Sequence, residues 1–339
     1  MNIQKQIVSL KAKLGPSLCI LAHHYQADDV VIHADIVGDS LELARQIPEL
    51  AAEHIVFCGV HFMAETAAIL AGANQHVYAP DASAGCVMAN MAPAPLLETI
   101  LNRLQSGGKQ VIPLTYVNSS AAVKAVCGRF GGSVCTSANA AVMLRWTLDQ
   151  GDAVLFLPDA NLGQNTATAV GLGASAIKIL NIRGGGQYVQ ALEPDHRLLL
   201  WPGVCAVHAK IHAEHIQKIR NRHPQGTILV HPECDPQVVA LADGAGSTSY
   251  LINKVQQAAT GRTMHIGTEA NLVHRLQRQH PDKTICSLHP IWCSNMAKTT
   301  AEKLLDTLTH LQIQSVVRVG ESIAASARLA LERMLAVCS

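Results

Sequence analysis

Short apolar runs rich in β-branched residues recur along the chain, and longer segments with apolar residues at helical spacing lie between them. Strands that alternate with helices form parallel sheets covered by helices on both faces, because each connection must cross over the sheet. The sequence therefore predicts an α/β fold. The predicted strands are 17–22, 55–60, 111–115, 153–157, 227–231 and 283–288.

Polar side chains cluster at the ends of several predicted strands. His23 and Tyr25 follow the first strand, Tyr116 follows the third, and His231 and Glu233 lie at the end of the fifth. Ligands of open α/β sheets bind beyond the carboxyl ends of the strands. We therefore expect these side chains to belong to the working face of the protein.

An internal repeat relates the first and last thirds of the chain. A shift of 208 residues, which places His23 on His231 without gaps, brings Cys86 within one residue of Cys293. A weaker middle copy contributes Cys205. The repeat predicts three homologous α/β lobes, each with three αβα layers, around a pseudo-threefold axis with a central active site. Their expected ranges are 1–98, 99–205 and 206–339, the last including the C-terminal helices.

Composition narrows the classes of partner and the compartment. The net charge is +1 and only 15% of residues are charged, with no run of Lys or Arg, so we expect no nucleic-acid partner. No stretch of about 18 uncharged apolar residues occurs, so we expect no membrane partner and no export signal. Ten cysteines without a CxxC pair indicate free thiols in a reducing compartment, which predicts a cytoplasmic protein.

One cysteine in each lobe suggests a shared metal site. Three thiolates from three loops occupy three positions around a soft metal and leave a fourth position open, which permits Lewis-acid chemistry. Cys86, Cys205 and Cys293 are the candidates, because the repeat gives each of them a counterpart. Of the other seven cysteines, Cys19 and Cys58 lie inside predicted strands and five have no counterpart in all three lobes, so all seven are interpreted as structural.

Several ordered motifs resemble the quinolinate synthase family. They cover about residues 18–310 and include His23-His24-Tyr25-Gln26, Gly38-Asp39-Ser40, Ala84-Gly85-Cys86, Tyr116-Val117-Asn118, Cys135-Thr136-Ser137, Leu157-Pro158-Asp159, Trp201-Pro202-Gly203 with Cys205 and His208, His231-Pro232-Glu233, Gly246-Ser247-Thr248 and Cys293-Ser294-Asn295.

The resemblance implies a transferase of NAD biosynthesis that condenses iminosuccinate with dihydroxyacetone phosphate to quinolinate, phosphate and water. It implies a 4Fe-4S cluster on Cys86, Cys205 and Cys293, with one open iron as Lewis acid. Functional coupling to L-aspartate oxidase, as a source of iminosuccinate, is a further possible implication.

The motifs and strand ends together give the expected site residues. The expected acid/base residues are Tyr25, Tyr116, His231 and Glu233. Positions before helices offer unpaired backbone N–H groups to carboxylates and phosphate, which suits Ser40, Ser137 and Thr248. The full set expected to bind substrate is His23, Asp39, Ser40, Tyr116, Val117, Asn118, Ser137, His208, His231, Pro232, Glu233, Ser247 and Thr248.

Three alternatives remain open at this point. His208, His212 and His215 have the spacing of one helix face and could bind zinc in a metallohydrolase. The segment 171–176 fits the GxGxxA pattern of dinucleotide-binding oxidoreductases, although the residues before it form a poor strand. A non-catalytic scaffold would need neither a cluster nor acid/base residues at strand ends.

The glycine-rich stretch 165–193 matches no motif and could cover the site.

Overall fold

The fold was determined as a computed structural model that describes residues 2–311 and 316–338. The expected third lobe, 206–339, therefore includes a few residues outside the described part. The strands are β1 Leu18–His23, β2 Ile36–Gly38, β3 His54–Cys58, β4 His76–Tyr78, β5 Val111–Tyr116, β6 Ser133–Cys135, β7 Ala153–Leu157, β8 Ile177–Ile179, β9 Leu198–Leu200, β10 Thr227–Val230, β11 Gly244–Ala245, β12 Thr263–Gly267 and β13 Thr284–Ser287.

Helices connect and cover these strands. They are α1 Ile3–Leu14, α2 Asp28–Val31, α3 Ser40–Gln46, α4 His61–Leu70, α5 Val87–Asn90, α6 Ala94–Leu104, α7 Ala121–Arg129, α8 Ala140–Leu148, α9 Ala160–Ala169, α10 Arg183–Gly186, α11 Ala213–Arg222, α12 Pro236–Leu241, α13 Thr248–Gln257, α14 Ala270–Gln279, α15 Ala301–Thr309 and α16 Glu321–Val337. In the described ranges, no helix combines the length and the apolar character needed to cross a membrane.

The strands form three parallel sheets, which confirms the predicted α/β class. Their orders are β2-β1-β3-β4, β6-β5-β7-β9-β8 and β11-β10-β12-β13. The first and third orders are the same pattern, as the 208-residue repeat predicts. The middle sheet keeps that pattern and adds β8 at one edge. Each sheet is built from one continuous stretch of sequence, because parallel neighbours are joined by crossover helices.

The repeat is also visible in individual hydrogen bonds. Asp35 accepts a hydrogen bond from the Ile20 backbone N–H at 2.8 Å, and Asp243 accepts one from the Ile228 N–H at 2.7 Å. These pairs are related by the same shift of 208 residues. An aspartate that satisfies a backbone donor of the central strand therefore has the same structural role in both copies.

The chain divides into two compact units, and neither is a single continuous segment. The first unit contains 1–86, 213–230 and 242–319, and therefore the first and third sheets; the second contains 87–212, 231–241 and 320–339, with the middle sheet. The first sheet packs against α1 and α15 through apolar side chains such as Ile7, Ile20 and Leu304. The expected lobe boundaries stay a prediction.

The segment 171–176 does not open a helix as a dinucleotide-binding turn does. Residues Ala174–Ala176 form a single 3-10 turn that leads directly into β8, which pairs with β9. A dinucleotide fingerprint places its glycines between a strand and the N-terminus of a long helix. The geometry therefore gives no support to the oxidoreductase alternative.

Candidate functional site

The expected site residues are distributed over both compact units. The second unit holds Tyr116, Val117, Asn118, Ser137, Cys205, His208, His231, Pro232 and Glu233, and the first unit holds His23, Tyr25, Asp39, Ser40, Cys86, Ser247, Thr248 and Cys293. The two groups are described separately.

A compact group of partly exposed Cys205 and buried His208 and Glu233 lies in the second unit. One ligand atom from each residue lies within 4.8 Å of the other two, and this is the one such group of three found in the described residues. His208 Nδ1 lies 2.7 Å from Glu233 Oε2. Thiolate, imidazole and carboxylate are all donors that bind transition metals, so this group can contribute to a metal centre.

His231 completes this cluster from the segment after β10. Its Nδ1 lies 3.3 Å from Glu233 Oε2, and its ring stacks on the ring of His208 with centroids 4.5 Å apart. His208, His231 and Glu233 are all at most 3% exposed. Two imidazoles therefore share one carboxylate in a space that excludes bulk water.

Burial and mutual contact set the protonation of this cluster. Burial, with a smaller contribution from His208, lowers the pKa of His231 to about 3. Burial alone would raise the pKa of Glu233, but His208, His231 and Tyr116 together hold it below its usual value. The arrangement favours an ionised Glu233 beside a neutral His231.

Asp159 is a second carboxyl group at this place, and sequence analysis did not include it among the expected site residues. It is fully buried, and its Oδ1 accepts a hydrogen bond from the Leu162 N–H at 2.9 Å at the start of α9. Burial and then repulsion from Glu233 raise its pKa well above the usual value. Asp159 also forms an isolated parallel bridge with Gly203, two residues before Cys205. Its position directly after β7 was the sequence signal for it.

In the first unit, His23 and Tyr25 form a second polar cluster. The Tyr25 backbone N–H donates to His23 Nδ1 at 3.1 Å, and the two rings meet edge to face with centroids 4.7 Å apart. The Tyr25 hydroxyl lies 2.7 Å from the hydroxyl of Thr268, just after β12. Sequence analysis gave Thr268 no role, because the contact joins residues 243 positions apart.

The expected substrate-binding residues at helix N-termini differ in how their side chains are used. Asp39 caps α3 by accepting from the Leu41 and Glu42 N–H groups, and its other oxygen accepts from Ser249 at 2.8 Å. Ser247 caps α13 in the same way. Thr248 is only 3% exposed, and its hydroxyl has no hydrogen-bond partner in the described part of the chain. A buried hydroxyl without a partner costs free energy, so Thr248 is well placed to bind a ligand atom.

The three candidate ligand cysteines share a local setting. All are free thiols and partly exposed, whereas most other cysteines are fully buried. Cys86 immediately precedes α5; the backbone oxygen of Cys205 accepts from Ala209 at 2.9 Å, and that of Cys293 accepts from Ala297 at 3.0 Å, so each cysteine starts one short helical turn. Free, accessible thiols at matching turns fit the donor set of an iron-sulfur cluster.

The alternative zinc site on one helix face is not formed. Residues His208–Lys210 form a 3-10 turn that ends at Ile211, and a separate helix begins at Ala213. The three histidines at 208, 212 and 215 therefore do not follow one helical repeat. His208 instead turns toward Glu233.

Comparison with known proteins decides the family. The NadA family model, described as quinolinate synthetase A protein, matches residues 5–336. The chain belongs to the quinolinate synthetase A family. It is 46% identical to a protein of Herpetosiphon aurantiacus, over 99% of this chain and 92% of the relative, and 45% identical to one of Corynebacterium glutamicum, over 99% and 88%. A protein of Halalkalibacterium halodurans is 44% identical over 98% and 93%.

All three relatives carry the name quinolinate synthase. The resemblance predicted from the motifs is therefore confirmed. Membership of this family indicates an enzyme that acts in NAD biosynthesis, and the scaffold alternative is set aside.

Proposed function

We propose that this protein is a quinolinate synthase. In this proposal it condenses iminosuccinate with dihydroxyacetone phosphate to give quinolinate, phosphate and two molecules of water, a transferase reaction. The family match over residues 5–336 supports the proposal, and the observation that carries it is the contact group of Cys205 with buried His208 and Glu233. A buried carboxylate in contact with two imidazoles is an arrangement that can hold and transfer protons.

The proposal assigns a 4Fe-4S cluster to Cys86, Cys205 and Cys293. Supporting it are the three free thiols at short helical turns and the match to the family. When bound, such a cluster supplies one open iron that acts as a Lewis acid toward substrate oxygen. Burial and then Glu233 raise the pKa of Cys205 well above its usual value, so a free Cys205 stays protonated, whereas a coordinating metal deprotonates a thiol.

The chain's own residues are assigned the proton transfers. Glu233 is ionised and accepts protons, and His208, in contact with it at 2.7 Å, returns them. His231 stays neutral and stacks on His208, which fixes the ring orientation of both. Tyr25 and Tyr116 donate from the hydroxyl group to developing negative charge on oxygen.

Substrate anions are assigned to the helix N-termini. Ser40, Ser247 and Thr248 stand at the first residue of a helix or at its cap, and Ser137 lies in the turn three residues before α8; backbone N–H groups and the helix dipole at such N-termini favour carboxylate and phosphate. The unpartnered Thr248 hydroxyl supports this assignment most directly. The proposed substrate set is completed by nine further residues: His23, Asp39, Tyr116, Val117, Asn118, His208, His231, Pro232 and Glu233.

The proposal also covers the compartment and the source of substrate. All ten cysteines are free thiols, which supports a reducing compartment such as the cytoplasm. Iminosuccinate is a reactive imine, so we propose functional coupling to L-aspartate oxidase, which would supply it.

The decisive experiment combines anaerobic purification, iron and sulfide quantification and a quinolinate assay. Cys86→Ala, Cys205→Ala and Cys293→Ala should each lose the cluster and activity. Cys127→Ala and the partly exposed Cys286→Ala should keep both, because neither belongs to the trio. Iron content unchanged in the trio variants would refute the ligand assignment, and a cluster-loaded protein that makes no quinolinate would refute the reaction.

A further inference from the structure

Three loops that follow central strands are each held by one side chain. In the first unit, the chain leaves β1 at His23, and Arg275 of α14 reaches this loop. Its Nη1 donates to the backbone oxygen of His24 at 2.8 Å and its Nη2 donates to that of Gln26 at 2.5 Å. Its Nε donates to Asp28 at 2.8 Å. Arg275 is only 9% exposed, so its guanidinium donates its hydrogen bonds mainly to protein groups rather than to water.

The loop after β5 is held in the same way by a lysine in the second unit. The strand ends at Tyr116, and Lys124 of α7 donates from Nζ to the backbone oxygens of Val117 at 2.9 Å and Ser119 at 2.5 Å. Lys124 is 0% exposed. Burying an ammonium costs several kcal/mol unless its hydrogen-bonding capacity is satisfied, so this lysine donates its hydrogen bonds to the loop rather than to solvent.

The loop that carries His231 and Glu233 is held by an asparagine. Asn165 of α9 donates from Nδ2 to the backbone oxygens of Pro232 at 2.8 Å and Cys234 at 2.9 Å. Asn161, one turn earlier in α9, donates to the backbone oxygen of Glu233 at 3.3 Å. All these contacts lie within the second unit.

The three arrangements occupy the same register. His23, Tyr116 and His231 stand at the matching strand ends, and in each loop the bound backbone oxygens belong to the first and third residues after that position. The donors differ in chemistry, since one is a guanidinium, one an ammonium and one an amide. What recurs is therefore a backbone conformation with two carbonyl groups aimed at one donor.

We propose that Arg275, Lys124 and Asn165 are positioning residues that fix the three loops in their working conformation. The proposal rests on the proposed function, because those loops carry the acid/base residues assigned there. A side chain that binds two backbone oxygens of a loop fixes the backbone conformation there, and with it the orientation of the residue between the two oxygens and of the residues on either side. A misplacement of about 1 Å in an active site can reduce the rate on the order of 100-fold.

The test removes each donor and leaves an apolar side chain in its place. Arg275→Met, Lys124→Met and Asn165→Leu are compared with Arg333→Met, a matched control. Arg333 also donates to two backbone oxygens, those of Gly128 and Gly132, at 3.1 and 2.6 Å, but that turn carries no proposed site residue. The kcat and KM, iron content, melting temperature and amide hydrogen exchange are measured for all four.

We expect each of the three variants to lose at least about 10-fold in kcat with iron content unchanged, and to exchange faster only in its own loop, 24–27, 117–120 or 232–235. Arg333→Met should lose a similar amount of thermal stability but keep kcat within about twofold. Guanidinium ion in solution should restore part of the activity of Arg275→Ala.

Exchange in the three loops equal to that of the wild type, or kcat losses no larger than in Arg333→Met, would overturn the proposal. Should Lys124→Met not fold, Asn165→Leu and the guanidinium rescue decide the matter. The exchange measurement uses apoprotein and needs no turnover, so it tests loop positioning even if the wild type makes no quinolinate.

Discussion

Replacing Gly203 by alanine should disturb the turn that carries Cys205, the proposed metal ligand in the second unit. Gly203 lies two residues before Cys205. Its N–H donates to the backbone oxygen of Pro158 at 3.0 Å, and its oxygen accepts from the Ala160 N–H at 2.8 Å. A Cβ added at this position would overlap the Pro158 oxygen, a backbone atom that cannot rotate away.

The magnitude follows from the two contacts that change. Relieving the overlap needs a backbone shift of about 1 Å, and overpacking of this kind costs about 1–3 kcal/mol. Weakening the hydrogen bond to Pro158 adds about 1 kcal/mol. We therefore expect Gly203→Ala to lower the free energy of unfolding by about 2–4 kcal/mol. A shift of this size also exceeds the tolerance of about 0.2 Å for metal–ligand distances, so iron binding should fall sharply.

Gly85→Ala is the matched control. Gly85 lies one residue before Cys86, another proposed ligand, but a Cβ added there meets no atom within 4 Å. Denaturant unfolding and iron content per chain are measured for both variants after anaerobic reconstitution. Gly85→Ala should behave as the wild type in both assays. The reasoning fails if Gly203→Ala keeps wild-type stability and iron content, or if both variants lose iron equally.

Three further predictions concern Glu233, His265 in the third sheet, and the contact between α7 and α16. Glu233→Gln should reduce kcat on the order of 100-fold or more while iron content stays unchanged, and an unaltered kcat would exclude Glu233 as the base. His265 is buried, and burial, followed by repulsion from His223, lowers its pKa from 6.5. The stability that neutral His265 contributes is therefore complete above about pH 6.5 and declines as the pH falls toward the pKa of the folded state. Urea midpoints should therefore fall less between about pH 7.5 and 5.5 in His265→Leu than in the wild type. Gly128→Ala should lower the free energy for local unfolding of α16 by about 2 kcal/mol, because its Cβ would overlap the Ser326 backbone oxygen. Faster hydrogen exchange confined to α16 and α7 would verify this.

The central strands were predictable because they are buried on both faces. Each of the six predicted runs corresponds to an observed strand whose ends differ by at most two residues, and β1, β5 and β7 are buried at every position. The strands not predicted were mostly short ones. The pair β2 and β11 has three and two residues and partly exposed side chains, so neither gives a run of apolar residues long enough to detect.

The cluster around Glu233 was predictable from position, but its geometry was not. His231 and Glu233 follow a recognisable strand, so their place at a carboxyl end could be inferred. The stacking of His231 on His208 depends on where a turn 23 residues earlier in the chain lies after folding. Asp159 followed a strand as well, yet only its burial beside Glu233 shows that the two carboxyl groups influence each other.

The loop donors show why side-chain patterns alone miss part of such a site. The repeat aligns His23 with His231, but the residues that hold the two loops are Arg275 and Asn165, which differ in chemistry and occupy unrelated places in the sequence. Their shared acceptors are backbone oxygens, and a backbone oxygen has the same chemistry at every residue. A sequence comparison therefore finds no shared residue type at these positions, whereas the structure shows two carbonyl groups in the same register. Substituting one donor type for another at these positions should consequently preserve kcat when the new side chain reaches both oxygens, and should lower kcat when it reaches only one, by less than removal of the donor does.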